Sequence, residues 1–536
     1  MANIYRPPCD AGVMLSGKAD RLCAPHVGRW VLVATILGSS MAFIDGTVVN
    51  VALPILQEDL GATATQVQWV AQAYALFLSA FILVGGSMGD HLGRRRVFMW
   101  GVGLFALASI WCGVAPNITQ LTLAQSLKGL GGAMLIPGSL AIISASFDGK
   151  ERGQAIGTWA AFTAITMALG PVLGGWLVEN VSWRAVFFIN VPLAVIVLII
   201  SAWRVPESRD EEVVGQRLDW GGAVLAALGI GGIIYGLTVS SQLGLLHPQV
   251  LVPLLAGVLV LVLFIWLESR LSAPMLPLDI FRVTAFSGTN LLTLLLYAAL
   301  GGALFYLPFN LIQVQGYSPT AAGAALLPFI LLVSLLSRWS GGLVERYGAR
   351  LPLIVGPIII AVGYALFAVP GIGGTYWTTF FPAVVVLGLG MALVVAPLTT
   401  TVMNSVSTHQ SGLASGTNNA VSRVAGLLGI AVMGIIMAYI FNVTLDGRLA
   451  PLDLSTETQT VVDEQRANLA GAQFEVGVEP GTQAALDRAF KESFVAGFRL
   501  VMLFAAGLAL LGAATTWFMI EGKHEQVERP PVAEPA

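Results

Sequence analysis

Fourteen stretches of about twenty mostly apolar residues dominate this chain, and a stretch of that length fits few environments other than the hydrocarbon core of a bilayer. They lie at 30–51, 66–88, 97–115, 121–144, 155–178, 184–203, 220–240, 249–267, 285–309, 319–342, 352–370, 377–401, 413–440 and 494–520. Lipid offers no hydrogen-bond partner to backbone N–H and C=O groups, so each stretch is expected to be a helix that satisfies them internally. Composition agrees. Only 11% of the 536 residues are charged and the mean hydropathy is +0.80, whereas soluble domains carry about 25% charged residues. The net charge of −3 supplies no electrostatic footprint for nucleic acid. Cys9, Cys23 and Cys112 are too few for a disulfide framework. Cys9 and Cys23 near His26 lack the spacing and the fourth ligand of a metal site, so no metal is expected.

Positively charged residues orient the spans, because cytoplasmic loops collect Lys and Arg. With the N-terminus inside, eighteen of the 27 basic residues fall in cytoplasmic segments. Five fall in outer ones: Arg184, Arg448, Arg466, Arg488 and Lys491. An odd number of spans would break this alternation, so both termini are expected in the cytoplasm. A repeat is also visible. The segment from Gly86 to Arg94 recurs 255 residues later from Gly341 to Ala349, and Gly129-Leu130-Gly131 recurs 259 residues later as Gly388-Leu389-Gly390. Eight spans separate the copies, so they share one orientation, as in transporters built of two parallel halves. The organisation read from this is a cytoplasmic tail 1–29, a six-helix half 30–203, a linker 204–219 and an inserted helix pair with its following loop 220–284. A second six-helix half 285–520, with an outer loop 441–493, and a cytoplasmic tail 521–536 complete it. The outer loop holds nine acids against four bases and is expected to be loosely ordered.

Lipid makes charge expensive, so ionisable residues inside spans carry the functional signal. Of thirty acids only Asp45 sits well inside a span, and all five histidines fall in loops or tails. Asp45 lies roughly 22 Å from the inner face at 1.5 Å per residue, and Lys128, on a span running the other way, roughly 10 Å below the outer face. Those depths agree, and Gln125 shares a helix face with Lys128. The three are expected to line one polar patch. Low dielectric penalises a carboxylate and a neighbouring ammonium restores it, so an acid held between the two can take up and release a proton. A purely structural buried pair, or Asp45 bonded to a helix end, explains the same residues. Arg423 is also mid-span, with packing, gating and ligand contact all open.

Gly86, Asp90, Gly93, Arg94 and Arg95 bridge two spans at the inner face. Glycines there allow tight packing, Asp90 can sit at a helix N-terminus, and the arginines can clamp an opposing element. Simple positive-inside anchoring competes with this, but the second copy, with Glu345 and Arg346, argues for a gating role. Gly170, Pro171, Gly174 and Gly175 put small residues on one helix stripe, permitting close approach and a kink. No G-x-x-x-x-G-K-[ST] loop occurs, and the G-x-S-x-G match at Gly85–Gly89 ends a span without a histidine to serve as base.

At these residues the chain resembles the major facilitator superfamily, and within it the fourteen-span drug:proton antiporters of the EmrB/QacA type. Phe43 to Pro54 resembles the first-span signature of that family, and Gly86 to Arg95 the inner-loop motif, with His91 where Arg is usual. Thr166 to Gly175 resembles the antiporter motif, with Thr166 in place of its first glycine. Trp183-Arg184, Asn190-Val191-Pro192 and Leu218-Asp219-Trp220 are also typical. The fourth-span motif departs: it carries Gln125 where an arginine associated with proton coupling is usual, and Lys128 one turn deeper can replace it.

The resemblance implies an all-α integral membrane protein of the major facilitator fold, two six-helix parallel repeats plus two inserted helices, in the bacterial cytoplasmic (inner) membrane. It implies efflux of lipophilic small molecules in exchange for protons, driven by the proton gradient without a cofactor and without enzymatic chemistry. Candidate cargo contacts are Asp45, Tyr74, Trp159, Asn290, Tyr297, Asn418, Asn419 and Arg423, although packing explains aromatic residues in helices equally well. Export of a specific metabolite or amphipathic lipid competes with drug efflux, and a non-transporting membrane sensor is the third reading. Protons, lipophilic cargo and membrane lipid are the implied partners. A periplasmic adaptor and an outer-membrane channel are compatible with the sequence but not indicated by it.

Overall fold

The computed structural model of the chain describes residues 25–147, 149–209, 219–271, 276, 278–406, 411–452, 454–474 and 480–520. The readings for residues 1–24, for 210–218 of the linker, for the tail 521–536, and for the side chains of Arg338 and Glu345 lie outside the described residues. Among the described residues there are helices and no strand. The principal helices are α1 (Pro25–Asp59), α2 (Ala64–Leu92), α3 (Arg94–Val114), α4 (Ile118–Ser146), α5 (Gly149–Asn180), α6 (Ala185–Arg204), α7 (Trp220–Leu243) and α8 (Pro248–Glu268). They continue with α9 (Thr284–Phe309), α10 (Leu327–Tyr347), α11 (Arg350–Phe367), α12 (Phe381–Asn404), α13 (Ser411–Leu449) and α14 (Pro480–Met519).

Every apolar stretch therefore falls on a helix. Among the described residues twelve helices are long and apolar enough to cross a membrane, and α2 makes a thirteenth if its parts Ala64–Ile82 and Val84–Leu92, bent by 49°, form one span. The remaining helix, α5, has 32 residues and stands outside that number, so fourteen crossings remain an expectation from the sequence.

The described residues up to Ile233, with those of 255–271 and Ser318–Ala324, form one compact unit; Ile234–Leu254, the described residues of 276–317 and those from Ala325 onward form a second. The two units repeat one packing scheme. In the first, α4 lies against α2 and α3, and α1 against α5 and α6; in the second, α12 lies against α10 and α11, and α9 against α13 and α14. Glycines make these approaches possible. A Cβ at Gly129 or Gly131 would run into the backbone of α2 or α3, and one at Gly388 or Gly390 into that of α10 or α11. The inner-loop repeat reappears in the backbone: α2 is ended by Gly93 at φ 108° and α10 by Gly348 at φ 79°, conformations that only glycine adopts without strain.

The segment between the last two spans is more ordered than its charge suggests. At 39 and 40 residues, α13 and α14 are each roughly 60 Å long, twice the hydrocarbon thickness. Their ends outside the membrane pack through buried Phe441, Leu445, Leu486 and Phe490, with Phe490 edge-on to both Phe441 and Phe474. A further helix, Thr456–Gln465, capped by Ser455, closes this cluster with buried Val462. The apolar residues recur at helical spacing, and intervening charges hide them from a count of mean polarity.

Candidate functional site

The hydroxyls of Thr35 and Thr47 in α1 bond back to carbonyls of their own helix, as such residues do when no better partner is near. Asp45 instead reaches across the first unit. Lys128 Nζ on α4 donates to Asp45 Oδ1 at 2.8 Å, with side chains 0% and 1% exposed. Asn190 Nδ2, from α6, donates to the same oxygen at 3.1 Å and lies 3.4 Å from Ser109 Oγ on α3. The ammonium sits 4.6 Å from the ring centre of Phe187, 5.7 Å from Tyr74 and 5.8 Å from Phe105, where aromatic faces attract a cation. Five helices, α1, α2, α3, α4 and α6, thus converge on one buried charge pair.

Burying two charges costs several kcal/mol per ion, repaid only by good geometry and further hydrogen bonds. The site supplies both, yet it also holds spare acceptors. Asn190 Oδ1 and Gln125 Oε1 are buried and have no hydrogen-bond partner among the described residues. The structure brings Asp45 and Lys128 into contact and buries Gln125 on the same helix as Lys128. Tyr74 also belongs here, its hydroxyl 3.4 Å from Ala42 O. The sequence points to Asn190 only as part of the Asn190-Val191-Pro192 motif and gives no sign of Ser109; an asparagine in so apolar a stretch is the available signal for the site.

Helix α5 is seated on α1 around Asp45. A Cβ at Gly170 would overlap the Thr47 hydroxyl and one at Gly174 would press on Val48, while Gly175 abuts the backbone of the short helix Pro319–Ala324 and Gly323 of that helix abuts Pro171. Thr166, which replaces a glycine of the motif, pairs its hydroxyl with Ser40 at 3.0 Å. Trp159 Nε1 donates to Ser39 Oγ at 3.0 Å. The small-residue stripe therefore serves close packing of α5 on the helix that carries the acid.

At the other end of α2, Asp90 lies in the last helical turn and pairs with Arg94 at 2.8 Å. It caps nothing at its own helix N-terminus, because α2 continues to Leu92. The opposing element is the segment after α6. Arg95 N donates to Glu207 Oε1 at 3.0 Å, Arg95 Nη1 to Val205 O at 3.1 Å, and Arg94 N to Ser208 O at 2.8 Å. Glu207 also stands 3.7 Å from both Arg95 and Arg96. Glu207 was missed because it lies in a short polar segment where charge is ordinary.

In the second unit Asn418 Nδ2 donates to Asn290 Oδ1 at 3.2 Å and to Thr293 Oγ1 at 2.7 Å. These residues tie α13 to α9. Asn419 is exposed, Arg423 and Tyr297 are half-buried, and Arg346 lies over the ring of Tyr347. Among the described residues no group of three or more His, Cys, Asp or Glu could hold a metal ion.

Residues 35–430 match the family model described as Major Facilitator Superfamily. Multidrug resistance protein Stp of Mycobacterium tuberculosis is 34% identical over 502 residues, covering 91% of each chain. The tetracenomycin C resistance and export protein of Streptomyces glaucescens is 32% identical over 96% of each. Puromycin resistance protein pur8 of Streptomyces alboniger is 32% identical over 93% of this chain and 92% of its own. Among solved structures, a bacterial homologue of the human lysosomal transporter Spinster, inward-facing and unoccupied, superposes with a TM-score of 0.62 over 92% of this chain and 98% of that one, at 16% identity. That likeness speaks for the fold.

Proposed function

Because this chain belongs to the major facilitator superfamily, a family of membrane transporters and not of enzymes, we propose that it exports lipophilic small molecules in exchange for protons by alternating access. Relatives that it covers almost end to end carry names of multidrug, tetracenomycin C and puromycin resistance, which supports drug-like cargo. The observation that carries proton coupling is the buried Asp45–Lys128 pair.

A proton reaching Asp45 neutralises its carboxylate and removes the partner of a fully buried ammonium. The faces of Phe187, Tyr74 and Phe105 hold that cation in part, and Asn190, with its amide turned over, can accept the new hydroxyl proton at Oδ1. The contact of α1 with α4 and α6 then loses its main attraction, and the unit can change the side to which the acid opens. Asp45 is closed to solvent in this conformation, so proton exchange requires the other one. Transfer of one charge is worth about 2.3 kcal/mol per 100 mV, and each pH unit about 1.4 kcal/mol. Those amounts sustain roughly tenfold to a few-hundredfold gradients at a 1:1 exchange.

In this reading both termini lie in the cytoplasm, and the halves meet the boundaries 30–203 and 285–520, with 220–284 inserted. The link between α2 and α3, held to Glu207 by Arg95, acts with its repeat around Arg346 in gating. No cofactor takes part. Lys128 is already neutralised by Asp45, so it offers no free charge to an anionic cargo.

Liposomes carrying the protein and a pH gradient test this. A lipophilic dye is expected to accumulate only while the gradient lasts. Lys128→Gln removes the charge that faces the Asp45 carboxylate and is expected to shift the pH profile of transport. Dye movement indifferent to the gradient contradicts proton coupling, and an unchanged profile removes Lys128 from it.

A further inference from the structure

The second unit holds a feature that the transport scheme does not use: a basic cavity and, one turn further along α14, an apolar groove. The cavity, of about 670 Å³, is lined by Arg448, Arg488, Lys491 and Arg499 against Asp487 and Glu492, an excess of two positive charges. Arg448 and Arg488 share the single carboxylate of Glu492, Lys491 pairs with Asp487 at 2.9 Å, and Arg499 Nη2 reaches only the carbonyls of Val369 and Pro370, at 3.2 and 3.3 Å. Arg448 Nε is buried with no hydrogen-bond partner among the described residues. A volume of this size suits a small ligand, and arginines left short of counter-charge are the usual recognisers of phosphate.

One turn further along α14 the surface changes character. Leu503, Phe504, Gly507 and Leu511, with Ile436 of α13, line a groove of about 680 Å³. Positions 492, 496, 499, 503, 507 and 511 advance in steps of three and four, so cavity and groove occupy one face of the helix. From Arg499 to Met519 is roughly 30 Å at 1.5 Å per residue, the thickness of the hydrocarbon core. Arg499 therefore stands at headgroup level, and the groove runs roughly 18 Å inward from it to Leu511, about one leaflet's depth.

We propose that this composite site binds an anionic glycerophospholipid, its phosphodiester held by Arg448, Lys491 and Arg499 and one acyl chain laid along Leu503, Gly507 and Leu511. A soluble phosphate would satisfy the charges but leave the groove unused; the alignment of the two along one stripe of α14 favours the lipid. Bound there, the lipid would fasten α13 to α14 just below their extension outside the membrane.

The test uses the full chain in bilayer discs of phosphatidylcholine with or without phosphatidylglycerol, reading retained phosphatidylglycerol by native mass spectrometry and the thermal midpoint in parallel. Wild type is expected to retain phosphatidylglycerol and to melt higher in its presence. Arg499→Gln should weaken retention roughly tenfold, the worth of one charge-assisted contact, and Asp487→Asn should strengthen it. Gly507→Leu, where an added side chain meets nothing within 4 Å, fills the groove without disturbing the charges and should also weaken retention. Equal retention by wild type, Arg499→Gln and Gly507→Leu overturns the site. An equal thermal shift from inorganic phosphate in pure phosphatidylcholine, insensitive to Gly507→Leu, overturns the lipid as its ligand.

Discussion

On the proposed reading one ion pair carries the coupling, and both of its members are buried. Replacing Asp45 by Asn leaves the Lys128 ammonium buried with amide and aromatic neighbours but no opposite charge, a change that costs about 3–5 kcal/mol of stability. Thermal unfolding in detergent should report that loss for Asp45→Asn and recover most of it in the double variant Asp45→Asn with Lys128→Gln, where no charge is left unpaired. Equal stability of the single variant and wild type would mean that the pair is not sealed as described. Asp45 and Lys128 were legible in the sequence because lipid penalises charge so heavily that each had to have a reason to be there. Depth along two antiparallel spans then brought them to one level. Asn190 and Ser109 were not legible by that route, since a neutral amide or hydroxyl is cheap enough to occur for packing alone.

Helices in this chain are placed by apolar runs and held by missing side chains. Gly131 and Gly390, at equivalent places in the two repeats, bring α4 against α3 and α12 against α11 with backbone in contact. Valine at either position should overpack its helix pair and lower stability by about 1–3 kcal/mol or more. Alanine at Gly103, where an added Cβ meets nothing within 4 Å, should be neutral or stabilising, as in an exposed helix. Thermal midpoints of the three variants check this, and equal tolerance of valine and alanine would refute the close approach. The positions of all fourteen helices could be read from hydropathy, but not the ends of α13 and α14. The ends that pack together carry Arg448 of α13 and Asp487, Arg488 and Glu492 of α14, which end an apolar run without ending a helix. Order between them comes from Phe441, Phe474 and Phe490 meeting across the sequence, which no local pattern displays.

Across the whole molecule, two units with one packing scheme carry different chemistry. The first holds the buried acid and the Glu207 contact of the link between α2 and α3; the second binds α9 to α13 with neutral amides and places a cluster of charges in the first part of α14. The repeat was readable because its glycines recur at offsets of 255 and 259 residues, and glycine cannot be exchanged where backbones touch or φ is positive. The asymmetry was readable in part, as the lack of a second mid-span acid. On the proposed reading it confines coupling to the first unit, so a protein whose proton site is disabled still handles cargo. The most direct measurement therefore follows protons with an entrapped pH dye in liposomes bearing wild type or Asp45→Asn, while cargo exchange is recorded in the same vesicles. The account predicts cargo-dependent proton movement for wild type, and exchange of cargo without proton movement for the variant; proton movement by Asp45→Asn at the wild-type rate would contradict it.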